Sequence, residues 1–314
     1  MIKGLRKIST VGMSHDEWLA HRKNSIGGSD AAAIVGMSQY ASPYSVWAEK
    51  TGKLPPKEDN EAMRQGRDLE DYVAQRFTEA TGKKVRRENN IIINPKYPFA
   101  HANVDRMVVG EDAGLECKTT SVLNLGKFKN GEYPENYYVQ CVHYLAVTGA
   151  KRWYLGVVIL GVGFEWFVIE RDEGEIAALM QSEEAFWEYV KKNTAPPTDG
   201  TKGTTEALKA VFPISNDDKV DLFAYDADLE RLESVKKQIK ELTEVKDAIE
   251  NGVKGFMGDA GRGESDNFKV SWTSSSRSSF DAKAFASDHP DIDMSEYFKQ
   301  SISRTFRVSK RKGA

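Results

Sequence analysis

Between residues 61 and 193 the apolar positions change period four times, and that alternation restricts the fold more than any other feature of the chain. Residues 61–81 place Leu69, Val73, Phe77 and Ala80 at three- and four-residue spacing, the stripe of an amphipathic helix, and Gly82 follows as its stop. Period-two runs then occupy 90–93, 99–109 and 113–120. A helical pattern returns near 134–148, strands at 153–160 and 164–170, and a helix near 174–193 that carries Ile176, Leu179, Phe186, Trp187 and Val190. Helices interleaved with strands bury their stripes on a shared sheet, so the expected class is α/β, a mixed central sheet flanked by helices.

The flanks carry their own punctuation. Ser14 and Glu17 have capping-box spacing and open a helix over 14–24. In "GGSDAAAIVG" the glycines Gly27 and Gly28 mark a turn, Ser29 is the expected N-cap of a short helix, and Gly36 its stop. Ser42 and Pro43 start another helix that Gly52 ends. Downstream, "NTAPPTDGTKGTTE" (193–206) is rich in proline and glycine. The expected organisation is therefore a core over 1–195, a linker over 196–206 and an α+β extension over 207–314. That extension contains a long helical pattern over 225–256, a strand over 268–272 and a short helix near 281–287.

The 314 residues carry a formal net charge of −3, so any contact with nucleic acid must come from a local basic surface or channel. Two cysteines, Cys117 and Cys141, cannot form a disulfide framework and read as buried thiols of a reducing compartment. No apolar run approaches the roughly 20 residues of a membrane span, and the N-terminus lacks an apolar signal core, so a cytoplasmic location is expected. The basic C-terminal "SKRKGA" reads as a solvated tail.

Chemistry concentrates in "GLECKTT" (114–120). On a strand, Glu116 and Lys118 share one face while Leu115 and Cys117 point to the other. An acid-x-Lys triplet is common: Asp217-Asp218-Lys219, Glu244-Val245-Lys246 and Asp281-Ala282-Lys283 repeat it, but not within a strand pattern. The Glu116 copy also has company. Asp105, eleven residues upstream, closes an alternating run, and a turn at "GEDAG" would set the two strands side by side. Two carboxylates with a backbone carbonyl, that of Cys117, or water form the oxygen-rich shell magnesium requires. A neighbouring lysine can position and activate a water for attack on phosphorus. Glu70, beside the stripe of the 61–81 helix and one turn after Gly66, is a third candidate acid; alone it reads as a solvated helix glutamate.

The order Glu70, Asp105, Glu116-Cys117-Lys118, then Gln140 in the following helix resembles the PD-(D/E)XK nuclease pattern. The blocks "IGGSDAAAIVGMSQYASPYSVWAEKTG", "GRDLEDYVAQRFTEATG", "LECKTT", "YYVQCVHYLAVTGAKRWYLGVVI" and "FVIERDE" resemble the YqaJ-like viral recombinases, relatives of the phage lambda exonuclease, over about residues 14–193. The resemblance implies a restriction-endonuclease-like core and a metal-dependent 5′-to-3′ exonuclease acting on linear double-stranded DNA ends. It implies a homo-oligomeric ring, trimer or tetramer, and a phage single-strand annealing protein as partner, in a bacterial host. By the match, Asp105 and Glu116 would hold Mg2+, or Mn2+ in its place, with two ions per site. Lys118 would handle the water, and Glu70 and Gln140 would support. Arg22 and Ser29 are spaced like the family's 5′-phosphate ligands, and a helix N-terminus with an arginine fork suits an anion. Two positions depart from the pattern: Val104 stands where the motif has proline, and Val142 where a second glutamine often occurs. Two other readings remain open at this stage, an endonuclease of the same fold and a catalytically silent DNA-end-binding or scaffold protein.

Overall fold

The structure is a computed structural model that describes residues 4–55, 59–299 and 302–309; the basic residues 310–314 lie outside them. It divides into two units, Met1–Phe212 and Pro213–Ala314.

In the first unit a short strand β1 (Arg6–Ser9) precedes three helices, α1 (His15–Lys23), α2 (Gly28–Ile34) and α3 (Pro43–Lys50). The Ser14–Glu17 capping box and the Ser42 cap with Pro43 inside the first turn form as their sequence predicts. α4 (Glu61–Thr81) is capped by Asn60 and stopped by Gly82 in the left-handed region. Its buried stripe is Val73, Ala74 and Phe77; Ala80, expected on it, faces solvent. Strands β2 (Val85–Arg87), β3 (Asn90–Ile93), β4 (Ala102–Asn103), β5 (Arg106–Val108) and β6 (Ala113–Ser121) follow. A 3-10 turn over Val122–Phe128 leads to α5 (Glu135–Thr148), then β7 (Arg152–Leu160), β8 (Gly163–Glu170) and α6 (Glu173–Lys191).

Five strands form the central sheet in the order β2-β5-β6-β7-β8. Only β6 and β7 run parallel; the other pairs are antiparallel, so the sheet is mixed as expected. α4 covers one face, burying Ala74 and Phe77 against Val108, Leu115 and Tyr154. α5 covers the other, and its sequence is apolar nearly all round because α2 and α6 enclose it from outside. At Gly114 a side chain is impossible: a Cβ would stand 2.2 Å from the Trp153 ring, which lies across its cross-strand partner.

Two sequence expectations change here. The single strand over 99–109 is two strands. β4 pairs with β3 in a separate three-stranded sheet, β5 belongs to the central one, and the chain changes sheets at Val104-Asp105. The linker over 196–206 and the boundary at 207 also move, because residues 202–211 form a helix, α7 (Lys202–Val211). Thr201 caps it, Ala207 is buried, and the Thr204 hydroxyl donates to Ser42 Oγ at 2.8 Å, so α7 packs on α3 within the first unit. Its polar, threonine-rich first turn disguised it as a linker.

In the second unit, α8 (Asp226–Met257) is a 32-residue helix with no buried residue. A two-stranded ribbon, β9 (Arg262–Glu264) with β10 (Lys269–Ser271), and α9 (Ala282–Asp288) complete it.

Candidate active site

The two carboxylates meet where β5 leaves the ladder of β6. The last paired residues are Arg106 and Leu115, which sets Asp105 beside Glu116, one step beyond. There the Asp105 side chain replaces the missing strand, and its Oδ2 accepts the Cys117 N–H at 2.8 Å. Alternation along β6 does the rest. Leu115 and Cys117 pack toward α4, and Glu116 turns to α5, where Gln140 waits.

Glu116 is 3 % exposed. Its Oε1 accepts from Gln140 Nε2 at 2.8 Å and pairs with Lys118 Nζ at 2.5 Å, while Oε2 has no hydrogen-bond partner. Gln140 also accepts from Lys118 Nζ at 3.0 Å and donates to the Tyr144 hydroxyl at 2.8 Å. Burial pushes the Asp105 carboxyl well above the usual carboxylate range, and nearby Glu116 and Glu70 push it further. Burial opposes the charge on Lys118, but Glu116 and Asp105 overcome it and hold the ammonium. The same negative field, after burial, raises the Cys117 thiol, which remains protonated and inert.

A buried carboxylate oxygen without a donor, beside a second carboxylate destabilised by like charge, is a place a divalent cation would relieve. The donor set, hard oxygens with no sulfur or imidazole, suits magnesium or manganese. Among the described residues no cluster of three or more His, Cys, Asp or Glu is arranged to hold a metal. Glu70, the third candidate, pairs instead with Arg106, whose guanidinium also reaches Asp71 at 2.5 Å. Glu70 therefore influences Asp105 through its charge while its own oxygen is engaged.

A cleft of about 200 Å³ joins Asp105, Glu116 and Gln140 to Arg22 and Ser29. Arg22 Nη2 donates to Ser29 Oγ at 2.8 Å, and its guanidinium stacks on the Trp18 ring at 4.7 Å. Ser29 is not the N-cap. The cap lies two residues earlier, at Gly27, the helix begins at Gly28, and the Gly27 N–H donates to Asp30 Oδ2 at 2.9 Å. The acid at the third helical position performs the capping, which frees the serine hydroxyl for Arg22. Gly28 lets α2 approach α5: a Cβ there would lie 2.6 Å from the Tyr144 ring and 3.2 Å from Gln140 Cγ.

Sequence reasoning missed what holds this end of the cleft. Asp30 and Lys50 form a buried ion pair at 2.6 Å, and Lys50 Nζ also donates to the Arg22 carbonyl at 2.8 Å. Burial would raise the Asp30 carboxyl, yet Lys50 and Arg22 hold it below its ordinary value. Asp30 was readable from its place three residues after Gly27; Lys50, on another helix, had no local signal. His101 lines the cleft with Nδ1 2.8 Å from Ser25 Oγ, and burial, then Lys50, lower it to about 3, so it is neutral. His143 is buried between Glu183, at 2.8 Å, and the His101 carbonyl, at 2.9 Å.

The family model of the YqaJ-like viral recombinase domain matches residues 17–151. The YqaJ protein of Bacillus subtilis strain 168 is 41% identical over 288 residues, spanning 89% of this chain and 90% of that protein. The alkaline exonuclease LHK-Exo of Laribacter hongkongensis shares the fold at 22% identity over 57% of this chain and 93% of its own. The TM-score is 0.50 for its complex with dAMP and 0.49 for the other crystal structure.

Proposed function

Because the chain belongs to the YqaJ-like viral recombinase family, we propose that it is a metal-dependent deoxyribonuclease that degrades linear double-stranded DNA from its ends, 5′ to 3′. One observation carries the reading: Glu116, whose Oε2 has no hydrogen-bond partner and whose Oε1 pairs with Lys118, lines one cleft together with Asp105, Arg22 and Ser29. A relative of the same fold is named an exonuclease and has been crystallised with a nucleoside monophosphate, dAMP.

Asp105, Glu116 and the Cys117 carbonyl would hold magnesium, or manganese, which when bound withdraws charge from the scissile phosphate and stabilises the leaving oxygen. Gln140 fixes one Glu116 oxygen and so leaves the other to the cation. Lys118, held between Glu116 Oε1 at 2.5 Å and the Gln140 carbonyl oxygen at 3.0 Å, is placed to position and activate the attacking water. A second ion would need Glu70 released from Arg106. Arg22 forks onto the 5′-phosphate oxygens while Ser29 donates to them, and Lys50 steadies the Arg22 backbone. The products are 3′ single-stranded tails, the substrate a phage annealing protein needs, and a ring of copies around the duplex would keep the enzyme on it. A bacterial cytoplasm, with the chain encoded by a phage or prophage, is the compartment that fits; no helix of the described residues is long and apolar enough to cross a membrane.

The deciding experiment compares a 5′-phosphorylated linear duplex with covalently closed circular DNA, with and without magnesium. Loss of the linear duplex alone, only with metal, is expected. Nicking of the circle would favour an endonuclease, and an intact linear duplex would leave a DNA-end-binding protein. Asp105→Ala, Glu116→Ala and Lys118→Ala should each lower cleavage by about 10³-fold while DNA-end binding survives. Arg22→Ala should selectively reduce the preference for phosphorylated over hydroxyl ends.

A further inference from the structure

The long helix α8 carries a pattern that the cleft does not use. Leu232, Ile239, Lys246 and Val253 recur every seven residues, and Val235, Leu242, Ile249 and Phe256 repeat three residues after each. Seven of these eight positions are apolar, and the period is 3.5 residues rather than the 3.6 of a straight helix. A stripe at that period stays in line with a neighbouring helix only if the two supercoil. The stripe is open: Ile239 is 58%, Leu242 69%, Ile249 65% and Phe256 95% exposed. Lys and Glu are the commonest residues at the remaining positions, and they form ion pairs along the helix.

We infer that α8 pairs with α8 of a second copy of this chain as an antiparallel two-stranded coiled coil. Charge decides both the occupant and the direction. In a parallel pair, Lys246 would oppose its own copy inside the seam, and Arg231 would flank Lys236 of the other helix, so like charges would meet twice over. Reversing one helix removes both conflicts. Leu232 then faces Phe256 of the second copy, Val235 faces Val253, Ile239 faces Ile249, and Leu242 faces the methylene stem of Lys246, whose ammonium reaches out to water. Val245, just beside the seam and exposed, meets its own copy at the two-fold axis. Lys236 meets Glu250 of the second copy, and symmetry makes that contact twice. Within one helix Lys236 pairs with Glu233 at 2.7 Å, and Glu250 with Lys254 at 3.0 Å and Lys246 at 3.5 Å. These are exposed pairs that can exchange at little cost.

Sedimentation equilibrium on the full chain tests the pairing, with circular dichroism to confirm that each variant keeps its helix. Leu242→Asp places a charge in the seam and should lower the assembly mass across the concentration range. Lys236→Glu and Glu250→Lys should each weaken association about tenfold, by converting two attractive contacts into repulsive ones, and the double variant should restore it. Tightening by Lys236→Glu would mean a parallel pair. An unchanged mass for Leu242→Asp would assign the stripe to a different protein. Either result overturns the inference. None of these residues lies in the cleft, so nuclease rates on short duplexes are expected to be unaffected, and a failure here is separable from a failure of the proposed activity.

Discussion

α4 and α8 are both long amphipathic helices, yet one stripe vanishes into the fold and the other remains in water. In α4, Phe77 is fully buried against Tyr154 of the central sheet, with ring centroids 5.1 Å apart. In α8, residues of the same character are mostly exposed within their own unit. The difference teaches that an apolar stripe specifies the need for a partner, and only its neighbours specify which partner. α4 is followed at once by strands whose alternate residues complement it, whereas α8 is followed by a two-stranded ribbon too small to cover 32 residues.

That contrast can be broken or sharpened by substitution, each effect being read by chemical denaturation of the full chain. Phe77→Ala should cost the first unit about 3–5 kcal/mol, because it empties the contact between α4 and the sheet. Lys50→Met should cost about 3 kcal/mol by leaving Asp30 buried without its partner, and it should also weaken binding of 5′-phosphorylated ends, since Arg22 loses the donor to its carbonyl. Gly28→Ala should cost about 1–3 kcal/mol by forcing α2 off the Tyr144 ring, with a parallel fall in cleavage as Gln140 shifts. Leu242→Ala, at a protein concentration where the chain is monomeric, should change stability by less than about 0.5 kcal/mol. A loss there as large as that of Phe77→Ala would show that α8 is already covered within one chain.

The same logic explains what could be read from the sequence. Helix limits set by local capping chemistry were legible: Ser14 with Glu17, Ser42 with Pro43, and Gly82 all act within one turn of the residue they govern. The same-face placement of Glu116 and Lys118 was legible because the strand period is rigid. What escaped depends on contacts distant in sequence. The change of sheet at Val104-Asp105 follows from strand pairing, not from any residue at the corner. α7 was hidden because its stability comes from α3, more than 150 residues away. The engagement of Glu70 by Arg106, 36 residues apart, could not be seen in either segment alone. The cap was misplaced by two residues, at Ser29 instead of Gly27, because two capping groups, the Ser29 hydroxyl and the Asp30 carboxylate, competed for the same turn, and the charged acceptor won.

Asp105 occupies the corner where the backbone passes from one sheet to the other, and its carboxylate stands in for the strand that has departed. Architecture and reactivity therefore share one side chain with two separable duties, an acceptor for an amide and a negative charge. Asparagine can perform the first and not the second. Replacing aspartate by asparagine would leave the corner intact and silence the chemistry, whereas alanine would remove the acceptor as well and let the sheet edge loosen. The distance between those two variants measures how far the reactive centre is also a joint of the scaffold.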